Sequence, residues 1–173
     1  RFTLPDTIAP DYYTIHYYKS NIEYANETFQ VAEFKRAEFQ VVVPPADSTF
    51  YAGDKISLGG KADFLSGGAM AGAEARYSWS SRSAYFSPSD QEFKNYVYGN
   101  SVYSGRRNLS SHSGILDNEG RISMEQETGS NHADGVPYNY QVELYVTDIS
   151  RQELTASQSV IVHPAEYYIG AKI

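Results

Sequence analysis

Apolar and polar residues alternate with a period of two along much of this chain, the repeat of a strand with one face in a core and the other in water. Ile56, Leu58, Ala62 and Phe64 alternate with Lys55, Ser57, Lys61 and Asp63. Ala73, Ala75, Tyr77 and Trp79 alternate with Glu74, Arg76, Ser78 and Ser80. Ile122 and Met124 follow the turn sequence Asp117-Asn118-Glu119-Gly120, and Tyr138, Tyr140, Val142, Leu144 and Val146 make the longest run. Leu154, Ala156, Val160 and Val162 close the set after a turn near Asp148–Arg151, and Phe39, Val41 and Val43 open it before Pro44-Pro45. The pattern predicts an all-β chain with about seven strands between residues 38 and 165, the number of an immunoglobulin-like or fibronectin type III-like sandwich. Trp79, Tyr77, Ile56, Leu58, Phe64, Tyr140, Val142, Leu144, Val160 and Val162 are expected inside.

Two regions fall outside this pattern. Residues 1–36 carry their own strand signals in Tyr13, Ile15 and Tyr17, then Phe29 and Val31, but are too few to bury a core. They read as the closing strands of a preceding domain, joined to the sandwich through Glu33–Ala37. Residues 82–112 have weak periodicity, Pro88 and many Ser, Asn and Tyr, and read as a long loop. Within it, Ser89 with Glu92 has the spacing of a capping box for one short helical turn, and Tyr98-Gly99-Asn100-Ser101 that of a tight hairpin turn. Ser66-Gly67-Gly68-Ala69-Met70-Ala71-Gly72 reads as a flexible hairpin connection, because its glycines precede a strand and no helix N-terminus stands there for a phosphate.

Composition sharpens the fold class and closes several chemistries. Val, Ile, Thr, Tyr, Phe and Trp supply 54 of the 173 residues, whereas Leu and Met supply nine, so the apolar content comes from strand formers. There is no cysteine, which excludes disulfides, thiolate nucleophiles, cysteine-ligated metals and a cysteine thioester from this chain. The net charge is −7 and the longest basic clusters are pairs such as Arg106-Arg107. Nucleic acid and direct membrane insertion are therefore not expected. The first residues, Arg1-Phe2-Thr3-Leu4-Pro5-Asp6, have neither an initiator Met nor the form of a signal peptide, so the chain reads as a piece of something longer. Sixteen Tyr and 20 Ser suggest an exported β protein, although the lack of cysteine suits the cytosol as well.

No catalytic constellation stands out, and no catalytic, cofactor-binding or metal residue is predicted. His16, His112, His132 and His163 are far apart, and no two of them stand at the spacing of a metal-binding helix. Ser110-Ser111-His112-Ser113-Gly114 sets a Ser beside a His without the G-x-S-x-G elbow. Asp117-Asn118-Glu119-Gly120 offers oxygens to Ca²⁺ but lacks the distal Glu of a true calcium loop, and a β-turn with glycine at positive φ is the preferred reading. Tyr85, Phe86, Phe93, Tyr96, Tyr98 and Tyr103 could stack on sugar rings or on a protein partner, but more simply cover the open end of the sandwich. Asn26-Glu27-Thr28 and Asn108-Leu109-Ser110 fit N-glycosylation acceptors, relevant only to a eukaryotic secreted source.

The segment Phe29-Gln30-Val31-Ala32-Glu33-Phe34-Lys35-Arg36-Ala37-Glu38-Phe39-Gln40-Val41 resembles the junction F-x-V-x-E-[YF]-x-x-P-x-F-x-V between successive macroglobulin domains of the alpha-2-macroglobulin family, in its bacterial form. Supporting similarity lies in Tyr51-Ala52-Gly53-Asp54-Lys55, Ala62-Asp63-Phe64-Leu65-Ser66-Gly67-Gly68, Leu116-Asp117-Asn118-Glu119-Gly120-Arg121 and Val146-Thr147-Asp148, and upstream in Phe2-Thr3-Leu4-Pro5 and Tyr12-Tyr13-Thr14-Ile15. Ala37 departs from the pattern, standing where the family usually has proline.

The resemblance implies residues 1–36 as the C-terminal strands of one macroglobulin domain, 37–165 as the next, and 166–173 as the start of an exit strand. It implies a structural module of a broad-spectrum endopeptidase inhibitor, a protease trap that is periplasmic or extracellular and in bacteria often a lipoprotein. Its partners would be neighbouring macroglobulin domains and, through the complete protein, host or competitor proteases. The family's bait region and C-x-E-Q thioester have no counterpart here, and no cofactor is implied. The alternative reading is an extracellular β-sandwich binding module for adhesion or carbohydrate, sharing the architecture by convergence.

Overall fold

The computed structural model describes residues 3–5, 8–31, 36–98, 104–129 and 135–172. They fall in two compact units, Arg1–Ala37 and Glu38–Ile173. The first unit is an antiparallel hairpin of β1 (Asp11–Lys19) and β2 (Ile22–Val31), turned by Ser20 and Asn21 at φ 52° and 62°. Such left-handed pairs match the twist of a two-residue hairpin. Opposite faces differ in character. Tyr13 stacks on its cross-strand partner Phe29 with centroids 6.0 Å apart. On the other face Thr14 hydrogen-bonds Thr28, and the Glu23 carboxylate accepts from Asn26 and pairs with His16 Nδ1.

The second unit is a sandwich, as the alternation predicts. One sheet runs β4 (Phe50–Tyr51), β11 (Glu153–His163), β10 (Tyr138–Thr147), β6 (Glu74–Ser83), β8 (Arg107–Ile115); the other runs β3 (Phe39–Val42), β5 (Lys55–Phe64), β9 (Arg121–Glu127). Three strands thus face four long ones, the fibronectin type III-like arrangement, with β4 as a short parallel addition beside β11. Pro44-Pro45 lies where the chain leaves the β3 sheet for the β4 sheet, a place where the missing proline N–H removes no ladder bond. A further pair, β7 (Val97–Tyr98) with β12 (Gly170–Ala171), lies outside both sheets.

The core lies between the sheets. Ile56, Leu58 and Ala62 from β5 and Met124 from β9 face Trp79, Val142, Leu144, Val146 and Val162, all buried. At about 1.5–3 kcal/mol per large apolar side chain, these are the dominant stabilising contacts. Tyr77, expected inside, is only partly buried but packs against this cluster.

Several expectations are corrected. Phe64 is 39% exposed: β9 pairs with β5 only as far as Lys61, so the end of β5 has β3 alone beside it in its sheet. Residues 82–112 are not one loop: β6 continues to Ser83, and β8 begins at Arg107. β8 shows no alternation because it is a largely exposed edge strand whose register slips opposite Trp79/Ser80, inserting Leu109 as an extra residue against the core. The short helical turn is a 3₁₀ turn, Gln91–Phe93, and its cap is Asp90 rather than Ser89, the Asp90 carboxylate accepting from Glu92 N at 3.0 Å. The expected turn at Tyr98-Gly99-Asn100-Ser101, the junction residues 32–35, Tyr103 and His132 lie outside the described residues.

The sandwich has two distinct ends. At one, Glu38 leads into β3, where Leu65 N donates to Glu38 O at 2.9 Å, beside the turn at residues 117–120 and the buried Met70 and Leu116. At the other, β11 ends at His163 beside Tyr51, and Thr128 Oγ1 donates to Asp54 O at 2.6 Å while accepting from Gly53 N at 2.9 Å. Chain entry and exit are therefore at opposite poles.

Candidate functional site

The exit pole carries an aromatic-lined concavity. After β6, Ala84 N still donates to Pro137 O, Phe86 and Pro88 follow half-buried, and the capped 3₁₀ turn carries the chain into β7. β12 then pairs antiparallel with β7, Gly170 opposite Tyr98. A side chain at Gly170 would collide with the Tyr98 ring, so glycine is what lets the two strands close. Beside this pair opens a cleft of about 520 Å³, lined by Tyr51, Phe86, Phe93, Tyr98, Tyr167 and Tyr168, with Thr49, His163 and Glu166 as its other polar residues.

The rings form a continuous wall. Phe86 and Tyr168 are cofacial, 3.6 Å between centroids at 7°, and Tyr98 meets Phe86 edge-on at 77°. His163 meets Tyr168 at 80°, with its Nδ1 2.7 Å from the Tyr168 hydroxyl, and Tyr51 lies beyond. Burial depresses the pKa of His163 below the usual imidazole value, favouring the neutral ring. Burial, with a smaller contribution from Tyr51, pushes the Tyr168 phenol up to about 12. Of the loop aromatics, Phe86, Phe93 and Tyr98 line this cleft, together with Tyr51, Tyr167 and Tyr168 from outside the loop; Tyr96 and Tyr85 do not, and Tyr85 is 79% exposed.

Elsewhere the polar candidates are occupied by structural roles. Asp117 Oδ1 accepts from both Glu119 N and Arg121 N at 2.8 Å, and Gly120 sits at φ 70°, so this segment is the β-turn. Ser110 Oγ donates to Gln126 Oε1 at 2.6 Å, bridging β8 and β9, and His112 packs on Tyr77 with centroids 5.0 Å apart. His112 and Ser110 are thus drawn to different neighbours. Gly67, Gly68 and Gly72 have φ 100°, 96° and 72° in the connection between β5 and β6. On the outer face of the larger sheet, Arg76 lies over the Tyr145 ring at 3.9 Å and grips Glu153, while Arg106 joins Glu143 to Ser80 Oγ. Among the described residues, no three His, Asp or Glu come together at a metal-binding distance, and no helix is long and apolar enough to cross a membrane.

No protein-family model matches the chain. It is 29% identical over 166 residues to an alpha-2-macroglobulin homolog of Nostoc sp., a match that covers 93% of this chain and 9% of that protein. Among solved structures, the native conformation of Escherichia coli alpha-2-macroglobulin superposes with a TM-score of 0.75 at 15% identity, over 94% of this chain and 10% of that one. Salmonella alpha-2-macroglobulin reacted with methylamine gives 0.72 at 13% identity, over 95% and 11%. The trypsin-activated E. coli protein gives 0.64 at 15%, over 91% and 11%. The chain thus spans about a tenth of the length of the proteins it matches. Over nearly its whole length, it is similar to a segment of bacterial alpha-2-macroglobulins.

Proposed function

We propose that the chain is a non-catalytic structural module of an alpha-2-macroglobulin-like, broad-spectrum endopeptidase inhibitor. Residues 1–36 would close one macroglobulin domain, 37–165 form the next, and 166–173 begin the exit strand. The observation that carries this reading is the placement of entry and exit at opposite poles. β5, ten residues long, sets them about 30 Å apart at 3.3 Å per residue. A sandwich threaded end to end fixes the spacing of whatever is joined at its poles, which is what a scaffold must do. Similarity over nearly the whole chain to a tenth of much longer bacterial alpha-2-macroglobulins supports it.

In this reading the complete protein meets proteases in the periplasm or outside the cell, on a parent that carries bait and capture elements in other segments. Covalent capture through a cysteine thioester has no residue to work with here. The purified 173-residue chain should therefore give no dose-dependent protection of a protein substrate from trypsin or elastase, at amounts too small to compete as substrate. Protection by this chain alone would overturn the reading. A parent reading frame without further macroglobulin-like, bait-type or capture segments would do so as well.

A further inference from the structure

We propose that the aromatic cleft at the exit pole binds an organic cation, an ammonium or guanidinium group, held against ring faces and by the Glu166 carboxylate. Three observations converge on this chemistry. First, the walls are aromatic and meet at near-right angles, 77° between Phe86 and Tyr98 and 80° between Tyr168 and His163. The rings of these contacts use part of one another's faces, and Tyr51, Phe93 and the exposed Tyr167 add further rings to the same cleft. Ring faces carry the negative part of the aromatic quadrupole and attract a cation within about 6 Å.

Second, the charge balance is one-sided. Glu166 is the one carboxylate of the lining, and among the described residues no lysine or arginine lines the cleft. His163 does not offset this, since burial favours its neutral ring and its Nδ1 is engaged by the Tyr168 hydroxyl. The chain as a whole, at net −7, reinforces the preference. Third, the lining lacks the side-chain amides that can both donate to and accept from a sugar, its polar groups besides His163 and Glu166 being Thr49 and the tyrosine hydroxyls. No Asn, Gln or Asp stands in the lining, and the Tyr98 hydroxyl is spent on Phe93 O at 3.0 Å. The protein itself uses the same chemistry elsewhere, with Arg76 seated on Tyr145.

The cation has two sources, a free quaternary ammonium compound or the side chain of a lysine or arginine on a partner protein. Titration of the ¹⁵N-labelled 173-residue chain distinguishes them, with tetramethylammonium, choline, Nα-acetyl-lysine amide and Nα-acetyl-arginine amide as probes. We expect amide shifts confined to residues 84–98 and 163–171, saturating in the millimolar range, with the β5–β9 sheet unmoved. Stronger binding of tetramethylammonium and choline identifies a free ligand; stronger binding of the amino acid amides identifies a partner's side chain. Choline should bind at least several-fold more tightly than its neutral isostere 3,3-dimethylbutan-1-ol. Phe86→Leu should weaken binding roughly twofold to fivefold. Glu166→Gln, at an exposed residue where folding is not at stake, should weaken it up to about fivefold and flatten its salt dependence. Equal binding of the neutral isostere would overturn the proposal. So would the absence of localised shifts with every cation, an unchanged affinity in Glu166→Gln and Phe86→Leu together, or tighter binding of cellobiose at the same amides.

Discussion

Trp79 is the sharpest place to test the physical account of the sandwich. It is 1% exposed on the central strand β6, between β10 and β8, with Val142 directly across from it. Truncation to alanine removes the whole indole from a site surrounded by other elements that cannot collapse onto it, and such changes cost about 3–5 kcal/mol. The indole Nε1, however, is buried and finds no acceptor among the described residues. Burying an unpaired donor costs about 1–3 kcal/mol, so the native residue carries a penalty that phenylalanine would not. Trp79→Phe loses the volume of three ring atoms and relieves that penalty. The two effects are of similar size, and the change should be neutral to within about 1 kcal/mol.

The assay is urea denaturation of the full chain followed by far-UV circular dichroism, since the substitutions remove the only tryptophan and with it the fluorescence signal. Trp79→Ala should shift the midpoint with little change in slope, and lower Tm by roughly 6–20 °C at about 2–4 °C per kcal/mol. A loss under about 1 kcal/mol for Trp79→Ala would place the ring at the surface. A loss of about 3 kcal/mol or more for Trp79→Phe would refute the unpaired-donor argument, since the N–H would then have a partner such as a bound water.

Three further outcomes follow from the same structure. Gly120 at φ 70° has a site where a Cβ would strike the Ala62 carbonyl oxygen, whereas Gly72 at φ 72° faces open space; by urea denaturation Gly120→Ala should cost at least about 2 kcal/mol and Gly72→Ala about 1 kcal/mol, and equal costs would sink the argument. The folded pKa of His163 lies below its unfolded value because burial disfavours the cation, so the unfolded chain binds the extra proton first; its stabilisation is intact above about pH 6.5 and is lost as pH falls, and His163→Gln should flatten the decline between pH 7 and pH 5. Tyr168 has the opposite window, with a contribution present below about pH 10 and lost as pH rises toward its folded value of about 12, visible in the ultraviolet as a late-titrating phenol, beside Tyr145, which burial also raises, that Tyr168→Phe removes.

What could be read from the chain follows from which residues alternate. β5, β6, β10 and β11 have one wet and one dry face, and the period of two shows it: the buried residues of β10, Tyr140, Val142, Leu144 and Val146, fall on every second position. β8 has no dry face to report, and its one inward residue, Leu109, enters through a bulge that breaks the count. Met70 and Leu116 were equally illegible, since both are apolar residues of connections, 2% exposed, and connections have no period. At the exit pole, the loop aromatics announced a cover, but Tyr51, Tyr167 and Tyr168 arrive from segments far away in sequence. The β4–β11 pairing brings in Tyr51, and the β7–β12 pairing sets Tyr167 and Tyr168 beside the loop aromatics.

The residues that most resembled chemical motifs serve the poles of the sandwich, and this bears on the scaffold reading. At the entry pole the acidic turn is closed on itself by Asp117, and Ala62, Met70 and Gly120 are tied by backbone bonds of 2.9 and 3.1 Å. At the exit pole Thr128, 5% exposed, knots the ends of β4, β5 and β9 through its hydroxyl and its own N–H, which donates to Asp54 O at 2.9 Å. Each pole is thus pinned across strands of different hairpins, so a load on one strand is shared by its neighbours rather than fraying it. A module that must only bind could leave its far end loose, but one that sets the spacing between two attachments needs both ends fixed. The cation site proposed at the exit pole would sit on the rigid side of that division, where an occupant gains from rings already held in place by the stacked Phe86 and Tyr168.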